Sequence, residues 1–269
     1  MTSKAPDTII NGTKPLPTLL KTVPKENLPK PIDITDLLCD YDLEEELDLS
    51  DDSEEVKVPF KLELQTEKTQ KVWNGKRPEA KDEGGHRGYP GVKHFVTSVG
   101  KVCRKAQMSD PYALQSLLNI EQQMADMNED IEQSIAKVEA VLNSNRENGI
   151  KFHDVPGRHF KPATYPIVAR NQYSLTAATL VGKYDRAVRY ALTARAFNLI
   201  SRKEYGTVHR KAGAFVKLTL MSFIYKPSGT TVNDFLNENE KAQDAVQKYG
   251  TIDDVVLQDD FKLRLLGHD

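Results

Sequence analysis

Residues 60–77 read FKLELQTEKTQKVWNGKR, and a change of period inside this stretch decides the fold. Phe60, Leu62 and Leu64 alternate with Lys61, Glu63 and Gln65, so a strand here turns three apolar side chains to one face and three polar ones to the other. Thr66 can cap a helix, and from Glu67 the apolar spacing becomes helical. A strand this short needs a second strand beside it. Two copies paired across a two-fold axis would form a ribbon narrow enough for the DNA major groove. The competing expectation is the edge strand of an ordinary small sheet.

Beyond the strand and helix lies a loop rich in Gly, Pro and charge, GKRPEAKDEGGHRGYPG at 75–91. Residues 92–107 then carry Val92, Phe95, Val96, Val99, Val102 and Cys103 on one helical stripe. Strand, helix, loop, helix is the order of a ribbon-helix-helix unit, with a longer loop than that motif usually has. Ser109-Asp110-Pro111 marks a helix start and Gly149 a stop. Between them Leu117, Met124, Met127, Ile131, Ile135, Val138 and Leu142 form a seam, either an interchain coiled coil or the core face of a long helix. The stretch HFKPATYPIVARN at 159–171 is a second candidate strand, confined to an edge by Pro162 and Pro166. Helices are expected over 174–200, 203–225 and 232–249, with a short one at 252–257. Leu175, Ala178, Val181, Tyr184, Val188, Ala191, Leu192 and Leu199 form the inward stripe of the first.

The fold class read from these patterns is mainly α with a short β-ribbon: a ribbon-helix-helix-like DNA-binding unit elaborated by a long-helix body, dimeric. Residues 1–56 read as a largely disordered acidic arm, 57–258 as the helical domain and 259–269 as a tail. The arm has six prolines before position 32, and residues 33–55 hold twelve Asp and Glu with no Lys or Arg. It is either a solvated tail or an acidic peptide that contacts RNA polymerase or covers the protein's own basic face. Residues 151–226 carry fourteen Lys and Arg against three acids, and residues 57–105 twelve against five. The net charge of −2 therefore hides a basic body suited to a polyanion.

Cys39 and Cys103 lie far apart without a zinc-type spacing, and no apolar run reaches the length of a membrane span. The expectation is a soluble protein of the bacterial cytoplasm with no membrane partner, no metal and no cofactor. His153 and His159 have no carboxylate at ligand spacing, and neither a phosphate loop nor a nucleophile elbow occurs, so the chain is not read as an enzyme.

For binding, Lys61, Glu63 and Gln65 are the first-choice base readers, matched to guanine, cytosine and adenine edges respectively. Lys68, Lys71, Lys76 and Arg77 are placed as phosphate contacts. The second strand offers a rival set: Arg158, Lys161, Tyr165 and Arg170, with Arg202 and Lys203 at a helix N-terminus that would hold phosphate. A third arrangement has both strands on the DNA-facing surface. An interaction scaffold of the conjugation machinery, binding a protein partner through the 117–142 seam and nucleic acid non-specifically, is the alternative from another class.

From SDPYALQSLLNIEQQM onward the sequence resembles the family of regulators of conjugative plasmids and integrating conjugative elements typified by AcaB. Residues 62–77 are similar to the family's L-x-L-x-T start with its closing Gly and Arg, and residues 89–113 to its glycine-led helix followed by D-P-Y-A. Tyr184-Asp185, Val188-Arg189 and Leu192-Thr193-Ala194 are similar to its Y-D-x-x-V-R-x-x-L-T-A helix, and residues 229–257 to its closing segment. Ala169-Arg170-Asn171-Gln172-Tyr173 departs from the family's PYGY-like turn. The resemblance implies a ribbon-helix-helix transcription factor that binds promoters of transfer genes as a homodimer, an activator acting on double-stranded DNA.

Overall fold

The computed structural model describes residues 58–76, 88–152, 161–258 and 261–266. Its first strand, β1 (Val58–Leu64), buries Leu62 and Leu64 and half-buries Phe60, while Lys61 and Glu63 are exposed. Thr66 caps helix α1 (Glu67–Asn74), its hydroxyl accepting from the Thr69 amide. Two short segments, β2 (Gly75–Lys76) and β3 (Tyr89–Pro90), then pair and close the base of the long loop. A Cβ on Gly75 would collide with the backbone of residues 89–91, and Gly75 adopts φ 77°, so only glycine fits this crossing. The loop thus returns to its starting point, and α2 (Val92–Gln107) follows α1 as the strand-helix-loop-helix order requires.

Helix α3 (Pro111–Glu147) is capped by Asp110 and ends at Asn148, with Gly149 at φ 84°. All seven residues of its seam are buried in the core of this one chain, against α2, α4 and α6. The interchain coiled coil is therefore excluded: the apolar surface it needed is already covered.

The partner of β1 is β4 (Ala163–Ala169), antiparallel, in the register Val58↔Ala169 through Lys61↔Pro166 to Leu64↔Ala163. This differs from the ribbon expected between two copies, because one chain supplies both strands. The strands repeat one plan. Each has seven residues and is followed by a two-residue step whose second member, Thr66 or Asn171, caps the next helix. A pseudo-two-fold axis through the Lys61–Pro166 pair relates them.

Helix α4 (Gln172–Ala196) runs beneath the ribbon: Gly182 faces Leu62, and Asp185 lies under the end of β1. Leu175, expected inward, is 38% exposed, while the rest of that stripe is buried or half-buried. The helix expected over 203–225 is broken at Lys211 into α5 (Arg202–Arg210) and α6 (Ala212–Ile224), where the ladder tightens as the Lys211 amide bonds to the Val208 carbonyl. That over 232–249 is likewise divided into α7 (Val232–Leu236) and α8 (Glu240–Tyr249), with Glu238 at φ 50° and Asn239 capping α8. A 3-10 turn at Asp254–Leu257 follows. Residues 261–266 also dock on the body: Leu263 is buried, and Glu121 accepts from the Arg264 and Leu265 amides at 3.2 and 2.8 Å.

A candidate nucleic-acid interface

The ribbon has an inner and an outer face. Inward, Phe60, Leu62 and Leu64 lie opposite Ile167, Tyr165 and Ala163 above α1 and α4. Outward, β1 presents Lys61 and Glu63, and β4 presents Thr164, Pro166 and Val168, all exposed. Lys161 and Arg170, also exposed, flank β4 at its two ends.

What fixes the ribbon is a buried carboxylate. Asp185, 3% exposed, accepts from the Gln65 amide at 3.1 Å, from the Thr66 amide at 3.0 Å and from the Thr69 hydroxyl at 2.6 Å. Its second oxygen lies 3.3 Å from Arg189 Nε, one helical turn along α4. One side chain thus gathers the end of β1 and the free donors at the start of α1, where no intrahelical acceptor exists. Gln70 adds a side-chain bond to the Lys161 carbonyl at 3.2 Å, tying α1 to the approach of β4.

Only some of the sequence-expected residues reach the outer face. Lys61 and Glu63 lie on the outer face, with Lys161 and Arg170 beside it. Gln65 lies beyond β1, half-buried, its backbone N–H committed to Asp185. Tyr165 turns inward: its ring lies 5.9 Å from that of Trp73 and its hydroxyl accepts from Asn74 Nδ2 at 2.9 Å. Its position opposite Leu62 sets this, since alternation puts odd positions of β4 under the ribbon.

Lys68 is half-buried, and burial, then Lys71, holds its ammonium below the usual lysine range. Lys71 pairs with Glu67 at 2.6 Å, and that hydrogen bond raises its pKa. Lys76 is half-buried in β2. Arg202 and Lys203 are exposed at the start of α5, but a capping box fills that terminus: Ser201 Oγ accepts from the Glu204 amide, and the Glu204 carboxylate accepts from the Ser201 amide at 2.7 Å. The anion position there is taken by Glu204, and α5 starts past the far end of α4, roughly 16 Å beyond Asp185 at the helical rise. Arg77, Arg158, His153 and His159 lie outside the described residues.

Away from the ribbon, a second buried carboxylate organises the closing segment. Asp110 caps α3 and accepts from the Tyr225 hydroxyl at 2.9 Å and the Ser228 hydroxyl at 3.1 Å. Tyr112 donates to the Gly250 carbonyl at 2.6 Å, and its ring meets that of Phe235 edge-on at 5.9 Å and that of Tyr249 at a steep tilt at 5.5 Å. The D-P-Y stretch is therefore a hinge pin of the fold and not a surface motif. Among the described residues no group of His, Cys, Asp and Glu is arranged to hold a metal ion, and no helix is long and apolar enough to cross a membrane.

Comparison with known proteins places this helical body among the transcriptional regulators. The family model described as "Transcriptional regulator AcaB" matches residues 54–265, and the chain belongs to that family. The fold is similar to the crystal structure of selenomethionine-containing AcaB from uropathogenic E. coli, at 14% identity and a TM-score of 0.47, over 72% of this chain and 90% of that one. No curated protein matches.

Proposed function

We propose that the protein is a sequence-specific DNA-binding regulator whose β1–β4 ribbon enters the major groove and reads base edges with Lys61 and Glu63. The observation that carries this reading is the outer face itself: charged side chains stand on a two-stranded blade whose other face is fixed to the core, so they are presented without a mobile backbone. Paired strands about 4.8 Å apart fit a groove about 12 Å wide. Lys61 suits guanine O6 and N7, Glu63 the cytosine amino group, and Lys161 and Arg170 the phosphates at either side. Gln65, Lys68 and Lys71 are secondary candidates: Gln65 lies beyond the strand and is half-buried, Lys68 is half-buried, and Lys71 is paired with Glu67.

Two finer parts of the reading follow the family, activation of conjugative-transfer genes and binding as a homodimer; contact of the acidic arm with RNA polymerase rests on the charge of residues 33–55 alone. Since each copy carries a complete ribbon, dimerisation would set the spacing of two half-sites and would not be needed to build the blade. The scaffold alternative loses its docking seam, which lies in the core.

The test is a gel shift on the promoters of the protein's own genetic element, with random DNA as competitor. Lys61→Ala and Glu63→Ala should each weaken specific binding by about 5- to 150-fold, the range expected for a good base contact, with an unchanged melting temperature. Equal affinity of both variants for promoter and random DNA as in the parent protein would defeat the reading.

A further inference from the structure

A ribbon built from two identical chains presents the same side chains at positions related by its axis, so the element it touches is a palindrome. This ribbon does not. Across its pseudo-two-fold, Lys61 corresponds to Pro166 and Glu63 to Val168. The outer face is thus divided lengthwise into a charged strand and an apolar one, with Thr164 opposite Glu63. Val168 is 46% exposed, opposite Pro59 toward one end of a face that a water-facing strand would fill with polar groups. The apolar strip is continuous with Lys61 and bracketed by Lys161 and Arg170, so a partner that covers it must be anionic and also offer methyl groups. Double-stranded DNA meets both requirements, because each thymine places a C5-methyl in the major groove beside the edges that Lys and Glu recognise.

Resting on the groove-reading above, we propose that each chain reads a non-palindromic half-site: Lys61 and Glu63 of β1 select G·C pairs, while Thr164 and Val168 of β4 lie against the thymine methyls of adjoining A·T pairs. Specificity is then shared between polar contacts on one strand and methyl contacts on the other. Thr164 and Val168 become specificity-determining residues.

The experiment uses the full chain. Binding sites are selected from a randomised double-stranded DNA library, and in the selected sequence each thymine is replaced singly by uracil, which removes only the methyl group. The expected half-site is asymmetric, with G·C pairs beside A·T pairs. Affinity should fall about fourfold for each methyl that is contacted, the value of one buried methylene-sized group. Val168→Ser, at an exposed site and checked by its melting curve, should bind the parent site more weakly and lose the sensitivity to uracil at one position. Selection of a half-site palindromic about its own centre overturns the inference while leaving the groove-reading intact, as does affinity indifferent to every uracil. Uracil sensitivity unchanged in both Val168→Ser and Thr164→Ser also overturns it. A library that yields no sequence preference removes the groove-reading itself.

Discussion

Replacing Asp185 by Ala removes the acceptor of two backbone amides at the end of β1, takes one of two acceptors from the Thr69 hydroxyl, which keeps the Thr66 carbonyl, and deletes the carboxylate beside the Arg189 guanidinium. The site is buried, so water cannot take over the bonds to the amides without entering the core. Breaking a buried, hydrogen-bonded ion pair by deleting one partner costs about 3–5 kcal/mol. For a body of this size, a loss of that magnitude lowers the melting temperature by about 6–20 °C. Asp185→Asn keeps one oxygen acceptor but turns an amide group toward other donors, so it should fall between the parent and Asp185→Ala. Urea denaturation followed by circular dichroism gives the stability, and hydrogen exchange at Gln65 and Thr66 gives the local effect. Both amides should lose protection in the alanine variant, with affinity for DNA falling along with the order of β1. A stability change under about 1 kcal/mol, with both amides still protected, would refute the assignment of Asp185 as the clamp of the ribbon.

Three further outcomes follow from the same geometry. Gly75→Ala puts a side chain at φ 77° and ψ −173° and against the backbone of residues 89–91, so chemical denaturation should register a loss of at least the strain term of about 1–3 kcal/mol. Glu121→Ala frees the amides of Arg264 and Leu265 and the Tyr173 hydroxyl, and brief trypsin treatment should then cleave after Lys262 or Arg264 faster than in the parent, with α3 intact. His94 and His209 are held below the ordinary histidine range by burial first, and by Lys93 and Lys68 respectively. The unfolded chain therefore takes up these protons first. Stability is full above a pH of about 6.5 and declines as the pH falls through that value toward the lowered native ones. His209→Gln should flatten the decline in denaturation midpoints measured from pH 7 to pH 5.

Much of this arrangement was written locally. The alternation at 60–64 announced β1 and its polar face, Thr66 its helix cap, and Asp110-Pro111 with Gly149 the limits of α3. The pairing of β1 with β4 was not, since the two strands lie nearly a hundred residues apart and nothing in either names its partner. Without that register the side of β4 carrying Tyr165 could not be assigned, and the tyrosine read as a base contact when it is a support under Leu62. Asp185 did leave a signal: an acid embedded among Tyr184, Ala187 and Val188 on a core stripe has to be paired. The breaks at Lys211 and Glu238 depend on how α6 and α8 pack. The apolar stripe runs through Lys211 unchanged, although Asn239 carried the mark of a new cap. The docking of 261–266 corrects the reading of 259–269 as a tail: Phe261, Leu263, Leu265 and Leu266 form an apolar cluster that packs on the core.

Affinity cleavage tests the central claim most directly. An iron–EDTA group is attached at Lys61→Cys, with Cys39→Ser to keep the labelling at one site and Cys103 buried in the core, and the protein is bound to its selected DNA. With the ribbon in the major groove, strand scission concentrates at the middle of the protected site, on the sugars flanking the groove that β1 occupies. The same group at Arg146→Cys, on the exposed end of α3, cuts elsewhere or not at all. Scission from position 61 that is absent, or spread as evenly as from position 146, would contradict the claim that this blade is what meets the bases.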